Sequence, residues 1–165
     1  MVKELIAKQF VVKGKEITFK FLSTKDAVVV LPVLPDGRVV LIKQFRHAVD
    51  TELFELPAGG IEKGEEPLAA AHRELREETG YRADSIEELV NFFPSPGITT
   101  EKMYLYLAKV SRQEEQDLDD GEEIQVFYFT LPEALKMIET GEIRDGKTIV
   151  GLLMYRFSSP SIAQK

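Results

Sequence analysis

The chain predicts an α/β fold, a mixed β-sheet with helices packed on its faces. Three observations carry this. Apolar, β-branched runs come first; one helical stretch, opened by Pro67 and closed by Gly80, interrupts them; further strand patterns and then helical patterns follow. Strands, helix, strands, helices is the order expected when helices cover a mixed sheet. Leu5 to Val12 and Glu16 to Phe21 alternate as strands, joined by Lys13-Gly14-Lys15. Ala27 to Val33 is a continuous apolar strand, and Pro35-Asp36-Gly37 turns it back into Arg38 to Gln44 as a hairpin, because proline presets its φ and glycine accepts a positive one. Glu55 to Gly60 reads as a loop. The helix beyond it places proline first and glycine last, with Leu68, Ala69, Ala70, Ala71 and Leu75 on its buried side. Glu88 to Phe93, Lys102 to Val110 and Glu123 to Leu131 are strands. In the second of these Met103, Leu105 and Leu107 alternate with Tyr104, Tyr106 and Ala108, so both faces are expected to be covered. Pro132 to Thr140 and Lys147 to Phe157 are helices.

The 165 residues suit a single compact domain. No run of about 18 apolar residues is present, so no membrane span is expected. The N-terminal segment is polar and alternating, unlike a signal peptide, and cytoplasmic residence is the default expectation. The absence of cysteine excludes disulfides and thiolate metal sites. A net charge of -7 argues against a nucleic-acid partner, which needs a basic footprint. It also means that an anionic substrate would require cations to offset repulsion.

Residues 59–81, GGIEKGEEPLAAAHRELREETGY, hold the strongest signal. Glu74, Glu77 and Glu78 lie three and four positions apart, where helical side chains are neighbours and like charges repel. A hard divalent cation, which prefers oxygen ligands, is the natural compensation. Gly59, Glu65, Arg73-Glu74-Leu75, Glu77-Glu78 and Gly80 in this spacing resemble the box of the Nudix hydrolases. Tyr81 departs from the usual aliphatic residue, and remains largely apolar.

The resemblance implies an α/β/α sandwich around a mixed sheet and hydrolysis of a phosphoanhydride with Mg²⁺, Mn²⁺ being the alternative, at two or more ions per site. It implies Glu74 and Glu78 as metal ligands, Glu77 as a third or water-mediated one, and the carbonyl of Ala58 as a further ligand. Arg73 is expected to orient a glutamate of the box, with Glu65 as its partner or as an outer group. The general base is expected in the acidic loop 117–123, with Glu122 first and Glu123 and Asp120 behind it. Glu122, Glu77 and Arg73 form the implied catalytic set, Glu122 doubling as a metal ligand.

Ser95-Pro96-Gly97, Thr99 and Glu101, with Lys43-Gln44-Phe45-Arg46 and the run 55–60, resemble the ADP-ribose pyrophosphatase branch. On that likeness Arg46, Pro96 and Glu101 contact substrate, Arg46 at the diphosphate or terminal ribose. The same likeness implies that residues 1–22 are an N-terminal strand extension used in a homodimer, with an aromatic of these strands, Phe19 or Phe21, expected to stack on adenine from the partner subunit. Other nucleoside diphosphate sugars such as GDP-mannose or ADP-glucose are the nearest alternative substrates, and a non-catalytic nucleotide sensor is a third reading. His47 and His72 lack the spacing of a metal-binding pair.

Overall fold

The computed structural model describes residues 4–118 and 120–158. Two strands, β1 (Glu4–Val12) and β2 (Lys15–Ser23), form a separate antiparallel hairpin in unbroken register from Glu4↔Ser23 to Val12↔Lys15. The remaining strands build one mixed sheet. They are β3 (Ala27–Val33), β4 (Val39–Arg46), β5 (Thr51–Glu55), β6 (Ala58–Gly60), β7 (Tyr81–Phe92), β8 (Met103–Gln113) and β9 (Ile124–Phe129). Its spatial order is β5-β4-β3-β8-β7, with β6 added to β3 and β9 to β4. Only the β3–β8 pairing is parallel.

Helix α1 (Pro67–Thr79) covers one face, and α2 (Leu131–Thr140) and α3 (Gly146–Ser158) cover the other. The fold is the expected α/β/α sandwich. β3 is buried at every residue because its two faces feed two cores. Val28 and Val30 pack with Ala70, Ala71 and Leu75 of α1. Val29, Leu31 and Val33 pack with Leu131, Ala134, Met137 and Leu152 of α2 and α3. Strand β8 divides in the same way, Leu105 to one side and Tyr106 and Ala108 to the other.

Four local expectations are corrected. The 35–37 turn forms, closed by Leu34 and Arg38, but β3 and β4 pair only at Val33↔Val39. Beyond it, β4 turns to β5 and β9 while β3 takes β6 and β8, so the two strands are not an extended hairpin. Residues 55–60 are not a plain loop, since β5 ends at Glu55 and β6 hydrogen-bonds to β3. Strand β7 begins at Tyr81, directly after α1, well before Glu88. On α1, Leu68 and Ala69 are exposed, and Glu78 and Thr79 are buried instead. The core-facing stripe is therefore rotated toward the helix end that carries the carboxylates.

Helix ends follow local chemistry. Gly80 caps α1 at φ 73, where a residue with a Cβ is strained. A Cβ there would also lie 2.2 Å from the Glu114 carbonyl. Thr130 and Glu133 form a capping box on α2.

Candidate active site

The C-terminal half of α1 projects its carboxylates toward β6, and the approach is close enough to require glycine. A Cβ on Gly59 would lie 2.1 Å from Cδ of Glu74. The Glu78 side chain, 5% exposed, accepts a hydrogen bond from the Ala58 N–H at 2.8 Å. Burial raises the Glu78 carboxyl to about 8, against the Ala58 bond, and the charges of Glu74 and Glu122 push the same way. The Glu74 carboxyl is raised too, mainly by burial.

Arg73 organises this edge. Its Nε donates to Glu65 Oε1 and its Nη2 to Glu65 Oε2, both at 3.0 Å. The same Nη2 donates to the Gly60 carbonyl. Its Nη1 donates to Glu74 at 2.7 Å and to Glu77 at 3.0 Å. One guanidinium thus ties the loop before the helix, strand β6 and two helix carboxylates together. It holds the Glu65 carboxyl below its ordinary value.

The acidic loop after β8 is docked on the end of α1 by backbone bonds. Glu114 N–H donates to the Gly80 carbonyl at 2.8 Å, and Asp117 N–H donates to the Glu77 carbonyl at 3.0 Å. The Gln116 side chain donates to the Glu78 carbonyl, and Arg76 pairs with Asp117 at 3.1 Å. This docking delivers Glu122 to the same cavity as Glu74, Glu77 and Glu78. Asp120 and Glu123 are exposed and do not line it, and Asp119 lies outside the described residues.

The cavity holds about 380 Å³, within the range of small-ligand sites. Six acidic side chains line it (Glu62, Glu74, Glu77, Glu78, Asp117 and Glu122) against three basic ones, Lys25, Arg46 and Arg73. Among the described residues no three carboxylate or histidine side chains already converge as a cation cage. Arg73 draws Glu74 and Glu77 toward itself, and Glu78 points to the Ala58 N–H. The donor set nevertheless fits a divalent ion. All donors are oxygens, and a buried carboxylate among like charges is stabilised in its ionised form by a cation beside it.

Of the residues expected at the substrate, Arg46 lines this cavity. Its Nε and Nη2 are both donated to Glu55, at 2.7 and 2.6 Å. Pro96 does not line it. The 95–100 segment is hydrogen-bonded to β2 instead, Leu22 N–H to the Ile98 carbonyl and Thr100 N–H to the Leu22 carbonyl. There Pro96, Gly97, Thr99 and Thr100 join Phe10, Phe19 and Phe21 around a second, apolar cavity of about 660 Å³. Glu101 lines neither cavity and sits just before β8.

Sequence reading did not single out Lys25 and Glu62, which line the cavity, nor two charged residues behind Arg46, Glu55 and Lys147. Glu55 is 1% exposed and bonds both Arg46 and Lys147. Glu55 falls inside the run 55–60 already singled out, whereas Lys147 is 92 positions away and carries no local signal.

The sequence pattern describing the NUDIX domain matches residues 23–150, and the chain belongs to the Nudix hydrolase family. It is a pyrophosphohydrolase of that class. The ADP-ribose pyrophosphatase of Bacillus subtilis (strain 168) is 37% identical over 154 residues, 92% of this chain and 83% of that protein. A GDP-mannose pyrophosphatase of Citrobacter koseri is 40% identical over 133 residues, 75% of this chain and 69% of that protein. The methanol dehydrogenase activator of Bacillus methanolicus is 39% identical over 128 residues, 76% of this chain and 69% of that protein. A solved structure described as an ADP compounds hydrolase superposes with a TM-score of 0.87, covering 99% of this chain and 90% of that one, at 20% identity. At that identity the likeness concerns the fold alone.

Proposed function

We propose that the chain hydrolyses the pyrophosphate bond of ADP-ribose to AMP and ribose 5-phosphate, using a divalent cation, Mg²⁺ or Mn²⁺. The observation that carries this reading is the cavity with its excess of acidic groups. A diphosphate cannot enter such a site unless cations offset the repulsion. Glu74, Glu78 and the Ala58 carbonyl would hold the metal, with Glu77 and Glu122 completing the set for two or more ions. A metal held there would supply neutralisation of the diphosphate, a water of lowered pKa and stabilisation of the leaving oxygen. Glu122 takes the proton of the attacking water. Arg73 is a positioning residue for Glu74 and Glu77, and Arg46 meets the diphosphate.

The choice of ADP-ribose is supported by the relative that aligns over 92% of this chain, enough to include part of the β1–β2 hairpin. Adenine would rest in the apolar cavity against Phe19 or Phe21 and Pro96, with Glu101 nearby. The hairpin exposes Leu5, Phe10, Val11, Ile17 and Phe19. A two-stranded hairpin is marginal by itself, so we assign it to a homodimer interface. GDP-mannose is the second reading, favoured by the Citrobacter koseri relative.

The deciding experiment measures product release with Mg²⁺ from ADP-ribose, GDP-mannose and ADP-glucose, with and without chelator. Chelator-sensitive AMP release from ADP-ribose alone is the expected result. Equal turnover of GDP-mannose overturns the substrate assignment, and turnover that survives the chelator overturns the metal assignment.

A further inference from the structure

We propose that Lys147 is a positioning residue for this site: through Glu55 it fixes where Arg46 presents its guanidinium. The inference rests on the reading of Arg46 as the diphosphate contact. Four charged groups form one chain across the sheet. Arg46 grips Glu55 bidentately at 2.7 and 2.6 Å, Lys147 donates to the Oε2 of that same carboxylate, and Lys147 also pairs with Asp145 at 3.0 Å. Arg46 is 40% exposed on the cavity side, whereas Glu55 and Lys147 are 1% and 10% exposed. The buried end is therefore the fixed end.

That end is pinned to α3. Asp145 accepts from the Thr148 N–H and hydroxyl at 2.9 and 2.6 Å, capping the first turn of the helix. The Thr148 hydroxyl in turn accepts the Leu56 N–H at 2.7 Å. Helix α3 thus holds both the Glu55 carboxylate and the backbone next to it.

The device answers an electrostatic problem. Arg46 borders a cavity rich in carboxylates, and Glu78 already attracts it. A bidentate arginine–carboxylate pair fixes the guanidinium relative to its partner, but not relative to the rest of the site. Lys147 anchors the pair, and Asp145 balances the added charge. Without Lys147, Arg46 would be left as the cation that Glu55 holds, and the pair could swing as a unit toward Glu78.

The test combines Lys147→Met with Arg46→Ala in a double-mutant cycle, beside nuclear magnetic resonance of the arginine Nε–H groups. The Arg46 signal is identified by its loss in Arg46→Ala. Because Lys147→Met leaves buried carboxylates short of a cation, the charge-balanced pair Asp145→Asn/Lys147→Gln serves where the single variant fails to fold. The expected result is a KM for ADP-ribose raised on the order of tenfold with kcat within about threefold. No further loss is expected in the Arg46→Ala background, and the Arg46 Nε–H should shift and exchange faster. Additive losses with an unchanged Arg46 signal overturn the proposal, because a merely structural lysine would produce that pattern. Arg46→Ala alone tests the underlying reading. An unchanged KM there removes the diphosphate contact, while the Nε–H signal still reports whether Lys147 positions Arg46.

Discussion

Glu78 concentrates the physics of the site. Its folded carboxyl is raised to about 8 from an ordinary 4.5, by burial first and by Glu74 and Glu122 next. Below 4.5 the group is protonated in both folded and unfolded chains and costs nothing. Between 4.5 and 8 the unfolded chain releases the proton that the folded chain retains, so stability falls as pH rises. Above 8 the whole penalty applies, on the order of 5 kcal/mol. Metal-free protein should therefore melt at progressively lower temperature from pH 5 to pH 8, and Glu78→Gln should flatten that slope. The same variant should lower turnover by about a hundredfold or more. A pH-independent melting temperature in the native chain would contradict this account. Gly59→Ala tests the close approach. The added Cβ meets the mobile end of Glu74, not backbone, so the melting temperature should hold while activity collapses.

At the scale of elements, the acidic loop and α3 serve the site from opposite faces of the sheet. The loop is held by Gln116 and by backbone bonds to the last turn of α1. Gln116→Ala removes two side-chain bonds, to the Glu78 and Ile124 carbonyls, leaving a half-buried acceptor unpaired at a cost of about 1–3 kcal/mol. Hydrogen exchange in residues 114–118 should speed up, and kcat should fall if Glu122 is the base. Helix α3 approaches through Gly151, where a Cβ would lie 2.4 Å from the Leu56 side chain. Gly151→Val should cost about 1–3 kcal/mol through overpacking, readable as a lower denaturant midpoint.

Across the whole molecule, the hairpin is a sheet of its own and exposes a cluster of large apolar residues, Leu5, Phe10, Val11, Val12, Ile17 and Phe19. Phe10 and Phe19 meet edge-to-face at 5.7 Å on its surface. If a second copy covers it, sedimentation should report twice 18.7 kDa. Phe10→Ser with Phe19→Ser should then shift the chain toward monomer. A monomeric native chain would leave the apolar cavity as a site within one subunit. Among the described residues no helix is long and apolar enough to cross a membrane.

Legibility divided along the range of the interactions. The box helix, its proline and glycine ends, the acidic cluster, the apolar run of β3 and the two-sided pattern of β8 were all legible from neighbours within a few positions, where propensity, spacing and side-chain alternation act. The sequence by itself therefore determined the sandwich, the family and the carboxylates Glu74, Glu77 and Glu78. What the tertiary structure decided depends on partners far along the chain. It separated β3 from β4 because β6 takes the edge of β3, and β5 the edge of β4, along which the two would otherwise pair, so residues 58–60 became a strand on β3. By docking the loop on α1 it brought Glu122 and Asp117 to the cavity while Asp120 and Glu123 stay off its lining, and it moved Pro96 to the hairpin side. It also brought Lys147 to Glu55 across 92 positions. A buried charge must find its counterion wherever the fold supplies one, and no local pattern records that choice.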